Sequence, residues 1–316
     1  MRSFTIQKND AGQRVDKFIQ KAVPRLPQNL MYKYIRLKRI KLNGKRCEIS
    51  TKLAVGDILE MYLNDEFFSE ATNTDFLNVS SKIDIVYEDE NMILVNKPCG
   101  LVVHTDDENT ADTLINRILK YLFEKGEYNP ETEQSFAPSL CNRLDRNTQG
   151  IVICAKTAEA LRILNMAVKE RLLCKKYLCI TLGAPNPKQA RLEAYLKKNE
   201  VDNLVTVCDA EKSGFKKIIT EYKVLKQNGE LALCEINLVT GRTHQIRAHM
   251  AHIGHPLLGD GKYGVNRENV KYSVKTQALC AYSLSFEMGE KGEALSYLNG
   301  KTFEIKDIWF KNEFFK

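Results

Sequence analysis

Residues 141–157 place a carboxylate between two guanidiniums at the mouth of an apolar run: Cys-Asn-Arg-Leu-Asp-Arg-Asn-Thr-Gln-Gly, then Ile-Val-Ile-Cys-Ala-Lys-Thr. Asp145 stands between Arg143 and Arg146, Asn147 to Gly150 close a polar turn, and residues 151–154 read as a buried strand. A carboxylate just ahead of a core strand is held by rigid backbone, as nucleophilic or general-base chemistry requires. Pairs of this kind also serve as plain surface ion pairs, worth at most about 1 kcal/mol, so the turn alone selects no function.

A second polar concentration lies a hundred residues on. Residues 241–247 read Gly-Arg-Thr-His-Gln-Ile-Arg, and four of the five histidines fall at 244, 249, 252 and 255. A metal hydrolase is the rival reading, and the spacing speaks against it. His244 and His249 are five apart rather than four, and no carboxylate follows until Asp260, so no metal ligands are assigned.

The elements that must position these groups come next. At 316 residues the chain has room for two domains. Its net charge of +7 is uneven: residues 1–65 hold 14 Lys+Arg against 6 Asp+Glu, and the rest hold 33 against 34. A basic front joined to a near-neutral body suggests a polyanion anchor and a separate catalytic unit. The nine cysteines include no Cys-x-x-Cys pair, which reads as reduced core residues, and no apolar run suggests a signal or a membrane span. The cytoplasm is the expected compartment.

In residues 12–64, Val15, Phe18, Ile19 and Val23 recur at helical spacing. A second helix carries Leu30, Tyr34 and Ile35, and a small sheet follows around the Asn43-Gly44 turn. Lys33, Arg36, Lys38, Arg39 and Lys41 lie close enough to line one face and neutralise phosphates. Residues 66–81, polar and without period, read as a linker. The second domain, 82–316, opens with strands at 83–87 and 92–95 and a helix at 111–123. After the central turn, Thr157 caps a helix with Leu161, Leu164, Val168 and Leu172 towards the core. Strands at 175–180, 218–225 and 231–239 and a helix at 244–252 complete the reading. Strands outnumber helices without alternating with them, so the fold class is α+β around a mainly antiparallel sheet.

Three ordered blocks resemble the RluA family of RNA pseudouridine synthases. They are Asn96-Lys97-Pro98 with Gly100, Leu101 and His104; Arg143-Leu144-Asp145-Arg146 with Thr148 and Gly150; and residues 241–247 with Gly259-Asp260 and Tyr263-Gly264. The sequence departs from that pattern with Asn142 in place of the usual His and Gln149 where Ser is frequent. Arg14 to Lys17, residues 35–45 and Gly56-Asp57 likewise resemble the small RNA-binding domain first seen in ribosomal protein S-four.

The resemblance implies a small α/β RNA-binding domain followed by a synthase domain with a mixed sheet and a central cleft. Asp145 is then the essential carboxylate, attacking sugar or base or removing a sugar proton, and Arg247 is its partner. Tyr177 stacks on the target base. Arg143, Arg146, Arg242 and His244 contact RNA, and Gly150 and Gly241 relieve crowding. No redox step occurs, so no cofactor is implied. A dry pocket would raise the carboxylate pKa while a guanidinium opposes that shift. The expected partner is RNA, large-subunit ribosomal RNA above transfer RNA, met by a monomer. The alternative is an RNA-binding assembly factor that retains the shape without the activity.

Overall fold

The structure is a computed structural model, and it describes residues 1–68, 74–105, 110–199 and 202–315. The front unit runs β1 (Arg2–Thr5), α1 (Val15–Ala22), α2 (Gln28–Arg36), β2 (Ile40–Leu42), β3 (Lys45–Arg46) and β4 (Ile58–Met61). Its sheet has the order β1-β4-β2-β3, so the first strand precedes the two helices, which the sequence reading placed first. Val15, Phe18, Ile19, Met31 and Ile35 bury the apolar faces of both helices over this sheet.

The larger unit continues with β5 (Ile85–Glu88), β6 (Met92–Lys97), α3 (Leu114–Glu124), β7 (Ser139–Leu140), β8 (Gln149–Ala155), α4 (Ala158–Lys169) and β9 (Leu173–Leu182). Then come β10 (Gln189–Asn199), β11 (Leu204–Cys208), β12 (Lys216–Asn228), β13 (Leu231–Leu238), α5 (Gln245–His252), α6 (Asn266–Lys271), β14 (Leu279–Phe286), β15 (Thr302–Glu304) and α7 (Trp309–Phe314). An 11-stranded sheet orders β11-β10-β12-β13-β9-β14-β8-β6-β5, with β15 on β14 and β7 on β8. Among the described strands of this sheet, only the β8–β14 pair is parallel. The fold is therefore α+β around a mostly antiparallel sheet.

Every residue of β8 is buried, because both faces of the sheet are covered at its centre. Ile151 and Ile153 pack with α4 on one face; Val152 and Cys154 pack with α3 and α5 on the other. The Thr113 and Thr157 hydroxyls cap α3 and α4 by accepting from Asn116 N and Ala160 N. The expected helix from 111 thus begins three residues later.

Three further readings change. The buried stripe of α4 is Ala160, Ile163, Leu164 and Ala167, so of the four expected core leucines and valine only Leu164 is fully covered. The long hairpin β10–β11 was missed, although β10 alternates Ala190, Leu192, Ala194 and Leu196 with the exposed Arg191, Glu193 and Lys197, and β11 reads Leu-Val-Thr-Val-Cys. Within 66–81, Phe76 is buried against Phe123 and Tyr128, and hydrophobic anchoring overrides the polar composition there. Residues 69–73 of that segment lie outside the described residues. No helix among the described residues is long and apolar enough to cross a membrane.

Candidate active site

The turn at residues 145–148 is tied down by its own carbonyls. Lys97, fully buried at the end of β6, donates Nζ to the carbonyls of Pro98 (2.8 Å), Leu101 (2.7 Å) and Arg146 (2.8 Å). Burial pushes its ammonium down to about 8, with Cys99 and Asp145 pulling the other way. Gly100 N donates to the same Arg146 carbonyl (3.0 Å), the Cys99 thiol to Asn147 O (3.4 Å), and Thr148 N to Asp145 O (3.0 Å). Gly150 enters β8 at φ 142°, and a Cβ there would lie 2.5 Å from both Cβ and N of Ala281. This close approach to β14 demands glycine. Gly241 has negative φ and open space around it, so the expected crowding is absent there.

The departures from the family pattern have structural work to do. Asn142 accepts from Ile153 N (2.8 Å) and donates to Ile151 O (3.3 Å), clamping the approach to the turn onto β8 as a strand partner would. Gln149 donates to Asp307 O (3.1 Å).

Arg247 on α5 meets Asp145 across 102 residues of sequence, Nη1 to Oδ2 at 2.9 Å. Its other face forms a bidentate pair with Asp260, Nε to Oδ2 at 2.7 Å and Nη2 to Oδ1 at 2.9 Å. Asp260 also accepts from Lys262 N (2.9 Å) and Tyr263 N (3.1 Å), which fixes the guanidinium from behind. Burial acts against the Arg247 charge, but Asp260 and then Asp145 outweigh it and hold the pKa above its ordinary value. For Asp260, burial raises the carboxyl pKa and Arg247 more than reverses it, leaving it below the usual range.

Asp145 is not sealed from water: its side chain is 28% exposed, against 0% for Asp260. The dryness expected of the pocket is therefore not found around this carboxylate. His244 begins α5 with φ 52° and lies 3.8 Å from Asp145 Oδ2. Burial pushes its imidazole down to about 4, so it is neutral at pH 7; its Nδ1 pairs with the Tyr263 hydroxyl at 2.8 Å.

These groups open into a cleft of about 660 Å³, lined by Arg143, Leu144, Asp145, Tyr177, Arg242, His244 and Arg247. Tyr177, on β9, is buried, and burial followed by the Asp145 charge raises its phenol pKa, so it stays protonated. Arg146 is exposed and does not line the cleft; its carbonyl accepts from Lys97 Nζ and Gly100 N. Lys169, Arg171 and Lys175 do line it and were not singled out in the sequence, where they look like ordinary surface charge around a helix end. Lys97, Asp260 and Tyr263 were also given no role, although each sits in a block that carried the resemblance.

None of the front-unit basic residues lines this cleft: Lys33, Arg36, Lys38 and Arg39 are exposed on and after α2, while Lys41 is half-buried with Nζ 5.3 Å from the Tyr62 ring. The histidines go separate ways. His249 pairs with Thr220 Oγ1 (3.0 Å), His252 with Asp209 (2.8 Å) and His255 with Leu182 O (3.1 Å), which gives them no common centre.

The pattern of the family described as RNA pseudouridylate synthase matches residues 91–252. An uncharacterized RNA pseudouridine synthase of Mycoplasma genitalium is 36% identical, over 98% of this chain and 97% of that protein. The ribosomal large subunit pseudouridine synthase D of Neisseria meningitidis is 33% identical over 93% of this chain and 77% of its own length. Its counterpart C in Rickettsia conorii is 33% identical over 82% and 84%. Among solved structures, the human RNA pseudouridylate synthase domain containing 4 aligns with a TM-score of 0.56 at 21% identity, over 72% of this chain and 89% of that one, a likeness of fold. A cleft built on the Asp145 turn, β9 and α5 lies within or beside the matched segment, and the chain belongs to the RNA pseudouridylate synthase family, isomerases that convert uridine to pseudouridine in RNA.

Proposed function

We propose that this chain isomerises specific uridines in large-subunit ribosomal RNA, with Asp145 as the essential carboxylate. The observation that carries the role of Asp145 is its bond to Arg247, itself locked by Asp260, beside a cleft of nucleotide size. The ribosomal preference rests on the two relatives named for the large subunit and on the basic front unit, which resembles an S-four-type RNA-binding domain.

In the reaction the bond from the sugar C1′ to N1 breaks, the base turns over, and C1′ joins C5. The C5 proton leaves and N1 gains one. A stacked uridine hides these atoms, so it must be flipped out, at a cost of a few kcal/mol. Arg143 and Arg242 at the cleft rim meet the flanking phosphates. The Arg247 guanidinium keeps Asp145 ionised and aimed as water leaves, whether it attacks the sugar or base or removes a sugar proton. Tyr177 supplies the ring on which the base stacks; its hydroxyl can take the C5 proton only by giving up its own. His244, being neutral, adds a hydrogen bond and no charge.

RNA tritiated at C5 of uracil tests this reading. Wild type should release tritium, and Asp145→Asn should reduce the rate by at least about a thousandfold, as loss of an essential group does. Release at the wild-type rate by the variant, or none from ribosomal RNA by wild type, would refute it.

A further inference from the structure

The side chain of His244 is only 7% exposed, and burial keeps its imidazole neutral, so the ring has one N–H and one lone pair. Its two nitrogens meet different groups. Nδ1 lies 2.8 Å from the Tyr263 hydroxyl, and Nε2, in the lining of the catalytic cleft, lies 3.8 Å from Asp145 Oδ2. Which nitrogen holds the proton follows from the partners of Tyr263. Val205 N donates to the Tyr263 hydroxyl oxygen (2.9 Å), and a backbone N–H can only donate, so the phenol oxygen is an acceptor there. Among the described residues its own O–H then has one acceptor in reach, His244 Nδ1, which must carry the lone pair for that proton to be paired. Asp145 favours the same tautomer, because an N–H turned towards a carboxylate attracts where a ring lone pair repels. At 3.8 Å the Nε2–H is beyond hydrogen-bond reach of Oδ2, which already accepts from Arg247 Nη1 at 2.9 Å, so this donor is unspent. The His244 backbone, at φ 52°, is in a strained conformation that its surroundings must hold.

We propose that Tyr263 is a positioning residue for the isomerisation: its hydroxyl, fixed by Val205 N, donates to His244 Nδ1 and so sets the His244 Nε2–H as a donor to a carbonyl oxygen of the flipped uracil beside Asp145. The inference rests on the isomerase reading and names a recognition element of the same site. When the C1′–N1 bond breaks, its electron pair stays with the base and spreads onto the carbonyl oxygens, where a donor already in place stabilises the developing charge. A neutral N–H does this without drawing Asp145 away from Arg247, as an imidazolium beside that carboxylate would. The Tyr263 ring has a separate task, lying 5.3 Å from the Arg247 guanidinium carbon, and that packing does not need the hydroxyl.

The test compares the full chain, labelled with nitrogen-15 histidine, as wild type, Tyr263→Phe and Val205→Pro, with His244→Leu to assign the His244 signals. Long-range proton–nitrogen spectra of wild type should show the Nε2–H tautomer with Nδ1 accepting a hydrogen bond, and in Tyr263→Phe the Nδ1 signal should move to that of an unbonded ring nitrogen. Loss of one aimed donor costs about a hundredfold, and misaiming it should cost about tenfold in the kcat of tritium release, with KM changed less than about twofold. Val205→Pro removes the backbone donor on the end strand β11, where proline is tolerated, but leaves the hydroxyl, so it should keep the Nδ1 signal and most of the rate. His244→Gln, which retains an N–H donor, should be faster than His244→Leu. Circular dichroism shows which variants are folded, and the wild-type tautomer is read without any of them. The inference falls if His244 carries its proton on Nδ1, if Tyr263→Phe leaves the Nδ1 signal or the rate unchanged, if Val205→Pro loses as much as Tyr263→Phe, or if His244→Gln is no faster than His244→Leu. Each of these results leaves the isomerase reading standing, whereas absence of tritium release by wild type removes that reading whatever the tautomer.

Discussion

Arg247 divides its charge between two carboxylates in different surroundings, and removing each should have opposite consequences. Asp260→Asn keeps one oxygen for Lys262 N, Tyr263 N and Arg247 Nη2, but turns an NH₂ towards the Nε–H donor that Asp260 Oδ2 now accepts at 2.7 Å. Breaking a buried pair costs about 3–5 kcal/mol. Asp145 still neutralises the guanidinium from one side, so the lower end applies: about 3 kcal/mol, roughly a 150-fold fall in the folding equilibrium and about 6–12 °C in Tm. Asp145→Asn, at a side chain 28% exposed with one bond to Arg247, should cost no more than about 1 kcal/mol while activity collapses. Urea unfolding with tritium release on the same preparations makes the comparison. The pH dependence has a definite sign. Because the folded pKa of Asp260 is depressed, its contribution is complete above the unfolded value near pH 4 and fades as pH falls through the folded value. The stability gap between wild type and Asp260→Asn should therefore be flat from about pH 5 to 8 and close in acid. Equal destabilisation by the two variants, or a gap that widens in acid, would refute the division of labour between these carboxylates.

Lys97→Met leaves the Pro98 and Leu101 carbonyls without their donor, and the Arg146 carbonyl with Gly100 N alone, and should cost about 3 kcal/mol by urea unfolding. In wild type, the rate of tritium release should drop above pH 8, where the neutral amine has two hydrogens for three carbonyls. Gly150→Ala should lower Tm by more than about 10 °C in a thermal melt. Ala281→Gly should rescue little of that, since backbone N and O of residue 281 crowd the same space at 2.5 and 2.6 Å. Replacing Lys33, Arg36, Lys38 and Arg39 with Gln should reduce the salt slope of RNA binding by about 3, measured by filter binding; an unchanged slope would remove the front unit as anchor.

Much of the site was legible because it is local. The order Arg143-Leu144-Asp145 ahead of an apolar run already specifies a charged turn at the lip of a core strand, and Thr157 and the 3.6-residue periodicity mark α4. The Asp145–Arg247 contact was expected from the family blocks. Nothing within either segment encodes it, since 102 residues separate them and only the pairing of β8, β14, β9 and β13 brings α5 to the turn. Strands β10 and β11, the last two at one end of the sheet, escaped notice although Ala190, Leu192, Ala194 and Leu196 repeat every second residue; the single apolar face they present packs only once β12 and α5 lie against it.

By itself the sequence determined the chemistry on offer: a carboxylate, a guanidinium, a tyrosine and a basic front, each in a segment with its own turn and strand signals. Tertiary structure decided which of the charged neighbours matters. Arg146, adjacent to Asp145 in the chain, lies outside the lined cleft, whereas Arg247 reaches it and Asp260, completely enclosed, holds Arg247 still. Sequence adjacency sets where a backbone goes; the dielectric and partners that give a charged side chain its strength exist only after distant strands close around it.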